Sequence, residues 1–359
     1  MRPATRAALT AGSVILVGAL ALAARTLSAY GVFTDVTPGF SGICTAVPTA
    51  NGPGDIAIDE TTGLAFISTL DRRAKAAGHP SKTDGLYAIS LRDGALHPRK
   101  LAGAPSDFHP HGIGLYRAPD GSLTLMAINH RSDGTHSVDM FAVLGHGAAT
   151  ALHETGSIQS DALVSPNAIA AADGSRFYVT NDHASRTHFG RQLDDLFILP
   201  RANVLYYDGT VFRPVADRLA YPNGIALSPD GRFVYVAEAY GRRLVAYNRN
   251  PFSGGLEEAA TLPLSTNLDN LRFDASGRLW VGSHPKVFAM NAFRHDPAKP
   301  APSEIFKVTL ANGLPQSANL VYADTGAQIG GASVAAVSGN RMLIGSPLDN
   351  HILDCRLAP

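Results

Sequence analysis

The chain has 359 residues and a formal net charge of zero, from 30 basic and 30 acidic side chains. This balance, without a basic stripe or a polybasic run, argues against nucleic acid or anionic lipid as a partner. Hydrophobic residues make up 45% of the chain, and its 35 glycines and 23 prolines predict many tight turns, as in an all-β protein with a large core.

The first 29 residues predict a targeting segment. Arg2 and Arg6 precede an uncharged run, Ala8 to Ala24, that is rich in Ala, Leu and Val. The pattern fits a cleaved signal peptide and an uncleaved signal anchor equally well, and it fits a buried soluble helix less well. We therefore expect an exported protein, either secreted or periplasmic or membrane-anchored through this segment, with one folded domain over residues 30–359.

Cys44 and Cys355 are the only two cysteines, and they stand near the two ends of that domain. In an oxidising compartment a pair of cysteines is expected to form a disulfide, the alternative being two unrelated buried thiols. A disulfide here would hold together the first and last units of a ring-shaped fold.

Six segments repeat one pattern, in which a small or polar pair is followed by an alternating apolar run, a turn and a second apolar run. These segments are 54–69, 111–130, 167–182, 223–238, 269–284 and 332–347. Each predicts a β-hairpin, and the intervals leave room for two more strands, for which 84–91, 136–143, 203–209 and 243–250 are candidates. Because no helical periodicity is sustained between the hairpins, the repeats predict a six-bladed β-propeller.

The first strand of each propeller blade lines the central channel, so the first two residues of each repeat should meet at one mouth of it. Amide and carboxylate oxygens recur at these positions, which favours Ca²⁺ over zinc, since zinc prefers more His or Cys ligands. The alternative is that Asn and Asp serve only as turn residues before strands. The two columns read Gly54, His111, Asn167, Asn223, Asp269 and Ala332, then Asp55, Gly112, Ala168, Gly224, Asn270 and Ser333.

In these motifs the chain resembles the paraoxonases, a family of calcium-dependent arylesterases and lactonases with a six-bladed propeller. The resemblance runs from about residue 40 to the C-terminus. It is carried by the two cysteines and by FHPHGI (108–113), INH (128–130), FYVTNDH (177–183), NGIALSPDGRFVYVAE (223–238), LDN (268–270) and LWVGSHP (279–285).

The resemblance implies a catalytic Ca²⁺ ion at the channel mouth. Its ligands would be Asn167, Asn223, Asp269 and Asn270. The family's remaining ligand, a glutamate, is missing, because Gly54 stands at its position. Since Ca²⁺ affinity depends on the number of charged ligands, we expect this site to bind the ion more weakly.

A second, structural Ca²⁺ ion is also implied. Its ligands would be Asp55, the backbone carbonyl of Ile113 and a carboxylate at the position of Ala168. That carboxylate is missing too, so one calcium ion is expected per chain and the second is doubtful. A further expectation is that Asp55 turns inward to serve the catalytic ion, in which case the structural ion would be absent.

The resemblance assigns roles to four histidines. His111 and His130 match the family's proposed catalytic pair, and His183 and His284 match two histidines of the substrate pocket. A neutral imidazole beside a metal-polarised ester is a suitable general base for water, whereas a hydrogen-bonded core residue is the alternative reading.

The implied function is that of a carboxylic ester hydrolase for lactones and aryl esters, with Ca²⁺ polarising the carbonyl and the histidine pair activating water. The alternatives are a gluconolactonase-like or strictosidine-synthase-like propeller, and a non-catalytic binding propeller with degraded calcium sites. Residues 71–83 and 184–202 are expected to form lid loops over a small-molecule site. His109 and His136 match no family role and are expected at the surface or behind the pocket.

Overall fold

A computed structural model of the chain describes residues 3–79 and 81–358. These residues form an N-terminal helix, α1 (Pro3–Ala29), followed by a ring of six antiparallel sheets with four strands each. The predicted six-bladed β-propeller is therefore confirmed.

The first strand after α1, β1 (Ile43–Pro48), belongs to the last blade, and each of the first five blades uses four consecutive strands from the channel outward. Those strands are β2–β5 (Pro53–Asp59, Leu64–Thr69, Gly85–Ser90, Arg99–Lys100), β6–β9 (Pro110–Arg117, Leu123–His130, His136–Leu144, Ala151–Gln159), β10–β13 (Pro166–Ala171, Phe177–Asn181, Ala202–Tyr207, Phe212–Leu219), β14–β17 (Pro222–Leu227, Phe233–Glu238, Arg243–Arg249, Leu256–Pro263) and β18–β21 (Leu268–Phe273, Leu279–Ser283, Ser303–Ala311, Leu314–Asp324). Alternating apolar residues and tight turns form these hairpins where the repeats predict them.

The sixth blade closes the ring by combining both ends of the chain. Strands β22 (Val334–Ser338), β23 (Arg341–Gly345) and β24 (His351–Arg356) are completed on the outside by β1, which pairs with β24. Cys44 and Cys355 lie opposite each other in that pair and form the predicted disulfide, with an S–S distance of 2.01 Å. The ring is thus closed both by a hydrogen-bonded ladder and by a covalent bond.

The hydrophobic core is divided among the interfaces between blades. Phe66 of β3 and Phe141 of β8 are fully buried in one cluster that joins the first two blades. Tyr178 and Val245 belong to the cluster that joins the third and fourth blades. Fully burying such a side chain stabilises the fold by about 1.5–3 kcal/mol, so each blade depends on its neighbours.

Three short helices lie in connections between the second and third strands of a blade: α2 (Arg72–Ala76), α3 (His188–Phe197) and α4 (Val287–His295). Because the second strand runs antiparallel to the first, these connections begin at the channel mouth where the inner strands start. The first two helices fall within the predicted lid loops, 71–83 and 184–202, and the third was not predicted. Five to ten residues give too few turns for a periodic pattern to show.

The N-terminal helix α1 ends against the same mouth of the propeller. Ala29 and Tyr30 are buried in a cluster with Ile198 and Val287, and the ring of Tyr30 lies 5.3 Å from that of Tyr240. Arg2, part of the predicted basic flank, lies outside the described residues. Among the helices of the described residues, none has the length and apolar character needed to cross a membrane. Cleavage of the segment stays a prediction.

Candidate active site

Two glycines bring the inner strands into close contact at the channel mouth. A Cβ on Gly112 would lie 2.4 Å from the carbonyl oxygen of Asn167 in the next blade, and one on Gly224 would lie 2.3 Å from that of Asp269. No other residue allows this approach without moving a backbone, which explains the glycine in HGI and NGI. The polar residues at the strand starts are thereby drawn together.

The predicted ligands of the catalytic ion are Asn167, Asn223, Asp269 and Asn270, which we call the upper centre. All four side chains are buried. The Asn167 amide donates to Asp182 at 2.9 Å, and the Asn270 amide donates to the Gly54 carbonyl at 3.1 Å. In both cases the nitrogen is engaged, which leaves the amide oxygen available to a ligand.

One buried oxygen of the upper centre lacks a hydrogen-bond donor, and its buried carboxylate, which accepts hydrogen bonds from Asn223 and Asn270, lacks a close cation in the part of the chain that the structure describes. The Oδ1 atom of Asn223 has no hydrogen-bond partner among the described residues. Burial raises the pKa of the Asp269 carboxyl well above its ordinary value, although the positive charge of Arg72 opposes this effect. Buried oxygens in need of a partner are suited to a hard cation such as Ca²⁺, so this donor set fits the ion implied by the resemblance.

The same donor set is poor in charge. Within the part of the chain that the structure describes, no three His, Cys, Asp or Glu side chains are grouped to hold a metal ion. The nearest histidine nitrogen, His284 Nδ1, lies 3.5 Å from Asp269 Oδ2, and burial lowers the pKa of His284 to about 4. Asp269 is then the one carboxylate that the upper centre offers, with amide oxygens around it.

Arg72 lies in the space that a side chain at Gly54 would need. A Cβ on Gly54 would be 3.2 Å from both Nη1 and Nη2 of Arg72. Asp71 caps α2 by accepting from Ala74 N at 2.9 Å, and Arg72 Nη1 donates to the Pro347 carbonyl at 3.1 Å, so the guanidinium is held in place. Burial lowers the pKa of Arg72 to about 10, which leaves it charged at neutral pH. A positive group thus stands where the resemblance implies a negative one.

The predicted ligands of the structural ion are instead bonded to an arginine. Arg272 Nη2 donates to Asp55 Oδ2 at 2.5 Å and to the Ile113 carbonyl at 2.8 Å, and its Nε donates to the Ile56 carbonyl at 2.7 Å. We call Asp55, Ile113 and Arg272 the lower centre. Its groups do not fit a second Ca²⁺ ion, because the guanidinium takes both oxygens, and Asp55 does not turn toward the upper centre.

His111 and His130 lie together and form a chain with a third histidine. His111 Nδ1 is 2.9 Å from His130 Nε2, and His130 Nδ1 is 3.0 Å from His136 Nδ1. Burial lowers the pKa of His111 and His130 well below the ordinary value, and the positive charge of Arg72 lowers both further, so both rings are neutral at neutral pH.

His136 was expected at the surface or behind the pocket, and the structure places it in direct contact with His130. The two residues face each other across the hairpin of β7 and β8. A signal for this pairing existed in the sequence, since a tight turn between two strands brings such flanking residues opposite each other. His109, by contrast, is buried and takes no part in this row of three histidines. Its Nδ1 lies 2.7 Å from Asp84 Oδ2.

His183 is bonded by two carboxylates. Its Nδ1 lies 2.7 Å from Asp182 Oδ1, and its Nε2 lies 2.9 Å from Asp195 Oδ1. Burial alone would lower the pKa of His183, but these two hydrogen bonds raise it to about 9. Asp182 also accepts from Asn167, so it connects His183 to the upper centre. No motif in the sequence singles out Asp182.

A cavity of about 420 Å³ lies between α3 and α4 at this mouth of the channel. Its walls include His183, Tyr221 and Tyr240 as well as Tyr30, which follows α1. Tyr221 stands two residues before Asn223 of the upper centre, and His183 bonds Asp182, which accepts from Asn167. Its size and aromatic walls suit a small organic molecule.

Comparison with known proteins decides the family. A family model described as Arylesterase matches residues 51–357. The chain belongs to the arylesterase family. This arylesterase-family protein is 31% identical over 301 residues to human serum paraoxonase/arylesterase 2, covering 82% of this chain and 83% of that protein. It is also 31% identical over 322 residues to rat serum paraoxonase/arylesterase 1, covering 88% and 89%.

A solved structure of a putative gluconolactonase supports the fold of the arylesterase-family protein. The two share 16% sequence identity with a TM-score of 0.52, over 90% of this chain and 94% of that one. At this identity the likeness concerns the propeller alone. The resemblance to paraoxonases that the motifs indicate is confirmed, whereas the roles of the individual site residues stay predictions.

Proposed function

We propose that this protein hydrolyses carboxylic esters, with lactones and aryl esters as its substrates. Its curated relatives are named as paraoxonases and arylesterases. The observation that carries the proposal is the bonded pair of neutral histidines, His111 and His130, at the channel mouth that also holds the upper centre. A neutral base beside buried carbonyl-binding groups is the arrangement that hydrolysis by water requires.

In this mechanism His111 is the general base. If its Nδ1–H donates to His130 and the Nδ1–H of His130 donates to His136, the Nε2 atom of His111 is left to accept a proton from water. The low pKa of His111 keeps that atom unprotonated at neutral pH. His130 and His136 orient the base and spread the positive charge that forms on it.

We propose one calcium ion per chain, held at the upper centre by Asn167, Asn223, Asp269 and Asn270. When bound, Ca²⁺ supplies polarisation of the substrate carbonyl and stabilisation of the oxyanion. The buried carboxylate of Asp269 and the unpartnered Oδ1 of Asn223 support this assignment.

His183 and His284 are proposed as residues of the substrate pocket. His183 lines the cavity beside Tyr221 and Tyr240. His284 lies against Asp269. The aromatic walls of the cavity would receive the aryl or ring portion of the substrate, while its carbonyl reaches the upper centre.

A non-catalytic binding propeller is the second candidate function. It is favoured by Arg72, whose guanidinium takes the space of a carboxylate beside the upper centre and so weakens the attraction for a divalent ion. We also propose export of the protein, on the basic flank and apolar run of its first 29 residues. Determining the N-terminus of the protein recovered from its source would test that proposal.

The test of function is hydrolysis of phenyl acetate and of a δ-lactone by the purified protein, with millimolar Ca²⁺ or with EGTA. We expect activity that rises with Ca²⁺ and is lost with EGTA, and a fall of about 100-fold or more in kcat for His111→Asn. His97→Asn, at an exposed histidine remote from the site, is the matched control. Absence of activity on every ester in both conditions would favour the binding propeller.

A further inference from the structure

The lower centre is a closed set of hydrogen bonds around one guanidinium. Besides its bonds to Asp55 and Ile113, Arg272 donates from Nη1 to the Leu271 carbonyl at 3.3 Å. Asp55 also accepts from the backbone nitrogens of Ile56 and Ile113, both at 2.9 Å. Its side chain is 1% exposed and that of Arg272 is 16% exposed, so the ion pair is nearly shut off from water.

This cluster ties together three blades that are distant in sequence. Arg272 belongs to β18, Asp55 to β2 and Ile113 to β6, the inner strands of the fifth, first and second blades. Arg272 and Asp55 are 217 positions apart along the chain. The bonds therefore cross the channel and hold opposite sides of the ring.

The charges of the lower centre balance with an arginine and would not balance with a calcium ion. The single carboxylate of Asp55 neutralises one guanidinium, whereas Ca²⁺ would keep an excess positive charge because Ala168 offers no second carboxylate. Arg272 itself lines a cavity of about 170 Å³ whose other walls are apolar residues of five blades, such as Ile58, Leu115 and Ile225. An unbalanced charge would be costly in such surroundings.

We propose that Arg272 is a built-in cation that takes the place of the structural calcium ion. The guanidinium bonds the carboxylate and the carbonyl that the ion would use. The protein then holds at most one calcium ion, at the upper centre, and its ring is fastened at the lower centre without metal. This inference does not depend on the protein being a hydrolase.

Removing the built-in cation should destabilise the ring. In Arg272→Met the volume is nearly kept but Asp55 loses its charged partner, so we expect the melting temperature to fall by about 5 °C or more. Arg232→Met is the matched control, because Arg232 and its partner Asp230 are 66% and 50% exposed. We expect its melting temperature to stay within about 1 °C of the wild type.

The reverse exchange should create a calcium site. In the double variant Ala168→Asp/Arg272→Ser, the missing carboxylate is restored and the guanidinium is removed. Calcium content measured by plasma mass spectrometry should then rise by one ion per chain over the wild type. EGTA should lower the melting temperature of this variant by more degrees than it lowers that of the wild type.

Two results would overturn the proposal: two calcium ions per wild-type chain, or a melting temperature of Arg272→Met equal to that of Arg232→Met. If Arg272→Met does not fold while Arg232→Met does, that loss is the destabilisation expected, and the calcium content of the wild type remains an independent test. A wild type that hydrolyses no ester but gives the expected calcium content would refute the proposed function and leave this inference standing.

Discussion

The upper and lower centres of the channel differ in what balances their buried carboxylate. Asp55 in the lower centre is bonded by Arg272 at 2.5 Å. Asp269 in the upper centre has no cation that close among the described residues; His284 lies 3.5 Å away, and Arg72 acts on Asp269 without an ion pair. A buried carboxylate paired with a cation stabilises the fold, whereas one without a cation is destabilised by burial and gains free energy when a cation binds. We therefore expect the lower centre to stabilise the ring and the upper centre to bind the ion and take part in catalysis.

The largest effect expected from this comparison is on activity when the upper carboxylate is removed. In Asp269→Ala the upper centre keeps amide oxygens but no negative charge, so ester hydrolysis should fall by about 100-fold or more. The matched control is Asp230→Ala, whose carboxylate is 50% exposed on a hairpin turn. Retention of more than a tenth of the wild-type rate in Asp269→Ala would contradict the assignment of chemistry to the upper centre.

The disulfide is a second cross-link of the ring, and its contribution to the free energy of unfolding can be compared with that of the lower centre. Cys44 and Cys355 close a loop with a sequence separation of 311. Cys355→Ala should lower the free energy of unfolding by about 3–5 kcal/mol, since the unfolded chain regains conformational entropy. The blades should still form, because β1 and β24 remain paired by hydrogen bonds. Urea unfolding followed by circular dichroism measures the change.

A wild-type protein that unfolds at the same urea concentration with and without reducing agent would contradict a stabilising role of this bond. Thiol quantification under both conditions is needed as the control, because a buried disulfide can resist the reducing agent. If the bond is reduced and stability is unchanged, the hydrogen-bonded ladder of β1 and β24 alone closes the ring.

Much of the fold was predictable because it is repeated. Six hairpins with the same alternation and turns require six blades, and the cysteines indicated where the ring closes. The place of β1 in the last blade was not predictable in the same way, since Ile43–Pro48 carries no trace of the repeat. None of α2, α3 and α4 was predicted as a helix, because each is shorter than the window of about 11–18 residues over which helical periodicity can be recognised.

The candidate site was predictable where it lies at strand starts and not where it depends on contacts between distant segments. The sequence showed that carboxylates are missing at Gly54 and Ala168. It did not show that Arg72 and Arg272 take up the adjoining positions, because their partners lie on other blades or loops. Which long side chain fills a vacated space is decided by packing across the ring.

The buried carboxylate of Asp182 is an intermediate case, because its partner, His183, is a cation only when it is protonated. Asp195 bonds the other side of the His183 ring. The folded-state pKa of His183 is raised from 6.5 to about 9, so the ion pairs stabilise the fold fully below pH 6.5 and are lost as the pH rises through about 9. The free energy of unfolding should fall over this window by at most about 3 kcal/mol. Urea unfolding of the wild type and of His183→Gln across the window measures this dependence.

His183→Gln should lack this part of the pH dependence, and His153→Gln, at an exposed histidine, should keep it. An equal slope in the wild type and in His183→Gln would show that the histidine is uncharged at neutral pH. Asp182 would then need another partner, and its bond to Asn167 would be the main one.

The smallest expected effect is that of Arg72 on Ca²⁺ binding. It tests directly whether the upper centre, unlike the lower one, binds an ion. If a cation binds at the upper centre, the guanidinium beside Gly54 repels it, so Arg72→Gln should tighten Ca²⁺ binding by about 10-fold. Calorimetric titration with Ca²⁺ measures this without any activity, and Arg232→Gln, at an exposed arginine, is the control. Weaker binding in Arg72→Gln would mean that Arg72 holds the ligands in place instead of repelling the ion. Unchanged binding would mean that the ion lies away from Gly54. The proposed difference, an ion at the upper centre and a guanidinium at the lower centre, would then be wrong.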